Sequence, residues 1–101
     1  MKKGKTRFQC RHVPFAMGPI QLGPNASVLL DLQEVTDALM RHVCGDWGEV
    51  DHQGRFANQR ALRERTEVVS KYRTADDREF WVITDLGHRE TTVLVDEDDF
   101  L

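Results

Sequence analysis

Between Thr66 and Val95 the side-chain pattern settles into a period of two, and this constrains the fold more than any other feature of the chain. Thr66–Arg73 sets Val68, Ser70 and Tyr72 against Glu67, Val69 and Lys71. After the turn residues Ala75-Asp76-Asp77-Arg78, Glu79–Thr84 carries Phe80, Trp81, Val82 and Ile83. A loop through Gly87 then leads to the β-branched stretch Thr91–Val95. Connections this short favour an antiparallel meander. Three strands alone bury too little surface to be stable, so the residues before them must supply a cover.

Those residues carry the helical period. Asn25 or Ser27 is the expected N-cap of a helical region reaching about Val43. Leu32, Val35 and Leu39, with Ala38, His42 and Val43, form its apolar stripe, and Gly45 stands where a closing glycine is expected. Gly45-Asp46-Trp47-Gly48 reads as a tight turn with an aromatic anchor. A second helix is expected over about Asp51 to Arg63, with Ala57 and Ala61 on one side. Upstream, Thr6–Val13 alternates like a half-buried strand, and Ile20 and Leu22 fit a short strand among Pro14, Gly18, Pro19, Gly23 and Pro24. Trp47 and Trp81 are both expected in the core. The reading is an α+β fold, two helices packed on a small antiparallel sheet in the order β-α-α-β-β-β. It forms a single domain over residues 7–101 behind a flexible basic stretch over residues 1–6.

No apolar run approaches the roughly 18–20 residues a membrane span needs, so no membrane partner is expected. The basic start Met1-Lys2-Lys3-Gly4-Lys5 leads into no hydrophobic region, so export is not expected either. The expected location is cytoplasmic, with Cys10 and Cys44 as reduced thiols. Charge is strongly segregated: residues 1–12 carry +5, 13–54 carry −5, 55–74 carry +4 and 75–101 carry −7. Such blocks steer charged partners when they gather on one face.

Arg41-His42, Gly45-Asp46-Trp47-Gly48, Asn58, Ser70-x-Tyr72, Trp81-Val82-Ile83-Thr84 and Thr91-Thr92-Val93-Leu94 together resemble a family of short bacterial proteins. Members of that family ride on plasmids and integrative elements and are labelled plasmid-related. This chain departs from the pattern at Val95-Asp96, where Leu-Pro is usual, at Asp85, where Glu is usual, and at Phe100, where a Tyr is usual. The resemblance implies a bacterial mobile-element setting and no particular mechanism.

Three constellations have chemical potential. Cys10-x-His12 and His42-x-Cys44 supply thiols and imidazoles, but their spacing is not that of common zinc sites, and no zinc or other cofactor is expected. His42, Tyr72, His88, Arg89 and Thr91 would provide acid, base and phosphate-binding groups for a metal-independent ribonuclease of toxin type. Against that reading, the net charge is −3 and a nuclease presents a basic footprint. Arg55, Gln59 and Arg63 recur four residues apart with Arg60 beside them, a basic ridge suited to an acidic partner. The tail Asp96-Glu97-Asp98-Asp99 offers the opposite charge. No nucleophile motif or phosphate loop is present. The expectation is a non-enzymatic accessory protein that binds a host or defence-system macromolecule, protein or nucleic acid, with an anti-CRISPR or anti-restriction inhibitor as its concrete form.

Overall fold

A computed structural model describes residues 14–96 and residue 98. Four strands, β1 (Ile20–Leu22), β2 (Glu67–Arg73), β3 (Glu79–Asp85) and β4 (Glu90–Val95), form one sheet in the order β1-β4-β3-β2. The helices α1 (Pro24–Leu29), α2 (Leu32–Val43) and α3 (His52–Glu64) lie between β1 and β2 in the chain. The class is α+β. The expected strand over Thr6–Val13 lies outside the described residues.

The meander is antiparallel, β2 with β3 and β3 with β4, as its short turns dictate. The sheet as a whole is mixed rather than antiparallel, because β1 joins the free edge of β4 in parallel, Ile20 opposite Thr91 and Leu22 opposite Val93. Three helices and two strands separate β1 from β4, long enough for either direction of pairing.

The helical stretch over residues 25–43 is two helices instead of one. Leu30 and Asp31 take extended backbone angles, φ −100 ψ 140 and φ −74 ψ 133. The break lets Leu30 bury in the core while the Asp31 carbonyl accepts from Val35 N at 3.0 Å and opens α2. Neither Asn25 nor Ser27 caps α1. Gly23 is its N-cap, without a side chain to offer, and Pro24 follows. The acceptor comes from the far end of the chain: the Asp98 carboxylate takes Asn25 N at 2.7 Å, Ala26 N at 3.2 Å and Val95 N at 3.0 Å. Asp98 is 3% exposed, so this member of the acidic tail serves the fold and is not offered to a partner.

Alternation puts Val68, Ser70, Tyr72, Phe80, Val82, Thr84, Thr91, Val93 and Val95 on the inner face, all buried. One apolar cluster joins Val82, Val93 and Val95 to Ala26, Leu30, Val35 and Ala38; a second joins Val68 to Phe15, Val43, Trp47, Ala61 and Leu86. Trp47 is in the core, but Trp81 is not. Register sets Trp81 opposite Lys71 and Leu94 on the outer face, where it is half-buried with the Lys71 ammonium 5.9 Å from its ring centre.

A bare edge on β2 would invite pairing with another chain. It is closed from two sides. The Asn58 side chain, 2% exposed, donates to Val69 O at 2.8 Å and accepts from Val69 N at 2.9 Å, mimicking a strand. Beside it, Lys71 N donates to Trp47 O at 3.1 Å and Glu49 N to Lys71 O at 2.7 Å. Gly48 sits between them at φ +71, where a Cβ would collide with the Lys71 carbonyl, so the turn needs glycine there.

Two outcomes test this account. Replacing Asn58 by Leu keeps the volume but strands two part-buried backbone groups, so the unfolding free energy should drop by about 2–4 kcal/mol. Asp98→Ala should cost about 1–2 kcal/mol through the lost cap. Burial works against the Asp98 charge, but the three N–H donors outweigh it and hold the carboxyl below the usual range. Its contribution is therefore present above the unfolded carboxyl pKa of about 4 and is lost only as pH falls through the lower folded value. Denaturant melts of the wild type and Asp98→Ala should converge in that acid window and stay parallel above it.

Candidate functional site

The interior holds a chain of polar side chains centred on His42, which is 0% exposed. Its Nδ1 lies 2.6 Å from Ser70 Oγ and its Nε2 lies 2.9 Å from Thr84 Oγ1. Thr84 Oγ1 lies 2.7 Å from Thr91 Oγ1, and Thr91 donates to Met17 O at 2.8 Å. The terminal acceptor fixes the direction of every proton. A carbonyl only accepts, so Thr91 spends its proton on Met17 and must accept from Thr84. Thr84 then has none left for His42, so Nε2–H is the donor; with burial keeping the ring neutral, Nδ1 is bare and accepts from Ser70. The imidazole is neutral with its proton on Nε2. Burial lowers its pKa to about 4. Phe15 and Trp47 enclose the ring, with centroids at 5.3 Å and 5.8 Å and both edge-on.

The groups of a ribonuclease site do not come together. His42 and Thr91 are fully buried with every donor and acceptor used. The Tyr72 hydroxyl donates to Asp46 O at 2.6 Å and burial raises its pKa. His88 and Arg89 are exposed in the turn between β3 and β4. His88 Nδ1 pairs with Asp85 Oδ2 at 2.7 Å, which raises its pKa, and Arg89 is in the left-handed region at φ 60. No 2′-hydroxyl could reach an interior base and a surface cation at once.

The metal reading fails on similar grounds. Both ring nitrogens of His42 are engaged, and Cys44 is disulfide-bonded, which also corrects the expectation of a reduced thiol. Cys10 and His12 lie outside the described residues. Among the described residues no group of three or more His, Cys, Asp or Glu could hold a metal ion.

The α3 arginines stand on the surface in a different grouping from the expected one. Asp51 caps α3 by accepting from Gly54 N at 2.8 Å, and the helix buries only Asn58 and Ala61 completely. Ala57 does not share that face; it is exposed. Opposite the buried side, at helical spacing, stand Phe56, Arg60 and Arg63, with His52 and Gln59 beside them, all exposed. Phe56 is 71% exposed and His52 meets it edge-on at 6.0 Å. Gln53, Phe56, Ala57, Arg60 and Arg63 line a hollow of about 430 Å³. Arg55 stands to one side and donates to Gly48 O at 3.4 Å. Arg60 has a loose pairing with Glu64 at 3.9 Å, and Arg63 has no acidic partner among the described residues. Sequence reading named the arginines and passed over Phe56. The signal was there, since Phe56 is the one large aromatic of that helix and falls out of step with Ala57 and Ala61.

No helix among the described residues is long and apolar enough to cross a membrane.

His42 makes an acid-stability prediction. Its folded pKa of about 4 lies below the ordinary histidine value of 6.5, so the unfolded chain binds the proton more readily. Stability is full above pH 6.5 and is lost as pH falls towards 4, by about 2 kcal/mol at pH 5. His88 runs the other way, its contribution present in acid and lost as pH rises through its raised pKa, but it is exposed and screened. His42→Gln should lower stability at pH 7.5 and flatten the slope between pH 6.5 and 5, whereas His88→Gln should leave the slope in place. A slope unchanged in His42→Gln would refute the buried neutral imidazole.

No protein-family model, curated protein or solved structure matches the chain.

Proposed function

We propose that this is a non-enzymatic accessory protein of a bacterial mobile element that binds a host or defence macromolecule through the outward face of α3. An inhibitor of restriction or of CRISPR interference is the most concrete form. The observation that carries the reading is Phe56, 71% exposed at the centre of a face that also carries Arg60 and Arg63. Leaving a phenylalanine ring in water gains nothing for folding, and aromatic and arginine side chains are those enriched where interfaces are anchored. The mobile-element setting rests on the resemblance carried by residues such as Arg41-His42 and Gly45-Asp46-Trp47-Gly48. The interior placement of His42, Tyr72 and Thr91 favours binding over catalysis.

The test is protection of incoming DNA in a bacterium with active restriction or CRISPR interference. Wild-type protein should raise recovery of the challenged plasmid or phage. Arg60→Glu with Arg63→Glu should abolish protection, through at least a tenfold loss of affinity, about 1.4 kcal/mol, at unchanged melting temperature. Phe56→Ala should act in the same direction, and His88→Gln should be silent. Protection lost in a folded His88 variant and kept in the arginine reversal would sink the reading.

A further inference from the structure

A second face has the opposite charge and the same apolar character. On α2, Leu32, Thr36 and Met40 recur four residues apart and form one ridge. Leu32 is 73% exposed and Met40 50%, and Val28, at the end of α1, is 80% exposed. Only acids accompany them: Asp31, Glu34 and Asp37, with no base between Pro24 and Met40. Asp37 accepts only from Gln33, at 3.0 Å, and Asp31 has no cation partner among the described residues. The two guanidiniums that share a hollow with Glu34 and Asp37 are already committed. Arg41 pairs with Asp46 at 2.9 Å, and Arg73 with Glu49, Asp77 and Glu79 at 2.8–3.2 Å.

Residues 24–40 thus carry −3 and residues 52–65 carry +3, each with large apolar side chains in water. We propose that the α1–α2 face is a docking surface whose occupant is the α3 face of a second copy of this chain. Leu32 and Met40 meet Phe56, while Asp31 and Asp37 meet Arg60 and Arg63. The two surfaces differ, so the contact is heterologous and propagates head to tail unless its rotation closes a ring. The inference rests on the reading of α3 as a docking face, and it makes self-association a competitor of the target for that face.

Sedimentation velocity over a wide range of protein concentration tests it. Wild-type protein should sediment faster as concentration rises, and less so at high salt, where exposed charges are screened. Arg60→Glu with Arg63→Glu, and separately Leu32→Ser with Met40→Ser, should each raise the self-association constant Kd at least tenfold. Each double variant keeps one intact face, and the intact faces are complementary. An equimolar mixture should therefore form a 1:1 complex that grows no further, an outcome a symmetric interface cannot give. Thermal melts check that the variants fold. A wild type monomeric at every concentration, a mixture that stays monomeric, or association lost only in the arginine variant each overturns the proposal. Should the wild type be monomeric while the arginine variant still loses DNA protection, self-association falls and the docking reading of α3 stands.

Discussion

One imidazole holds the layers of this fold in register. His42 bridges Ser70 on β2 and Thr84 on β3 from the last turn of α2, and Thr84 passes the connection to Thr91 on β4 and on to Met17 before β1. The bridge crosses the boundary of the second apolar cluster, where Phe15 and Trp47 stack at 6.3 Å around the ring. Apolar contacts tolerate sliding, whereas a chain of buried hydrogen bonds with one allowed proton order does not. Any shift of α2 along the sheet would leave several buried polar groups unpaired at once, each at a cost of about 1–3 kcal/mol.

Several further contacts gather around this bridge. Arg41 pairs with Asp46 and lies 4.8 Å over the Tyr72 ring, whose hydroxyl returns to the Asp46 carbonyl. Trp47 packs on His42, Gly48 permits the close approach to Lys71, and Asn58 clasps Val69. These are the groups that fix how α2, the turn after it and α3 attach to the sheet.

The legible parts of the fold were those fixed by near neighbours. Strand alternation over Glu67–Arg73, Glu79–Asp85 and Glu90–Val95, the start of a helix near Asp51 and the turn at Gly45 follow from residues a few positions apart. The break at Leu30–Asp31 was not legible, because both residues tolerate a helix and the choice is made by the space waiting for Leu30 in the core. Ser70, Thr84 and Thr91 look like ordinary strand residues until the register brings Thr84 opposite Thr91 and places Ser70 one strand away. The arginines of α3 were visible from spacing alone, while Phe56 became meaningful only once the buried side of that helix was known.

The cap on α1 has a consequence for biosynthesis. A helix of six residues is too short to persist by itself, and its N-terminus is completed by a side chain more than seventy positions downstream. β1 likewise waits for β4. During translation the first third of the domain therefore emerges without partners and can only sample its structure until Asp98 has left the ribosome. Loops this long close late, so the domain should fold in one step once Asp98 has emerged, with the β1–α1 segment the part most in need of chaperone cover until then.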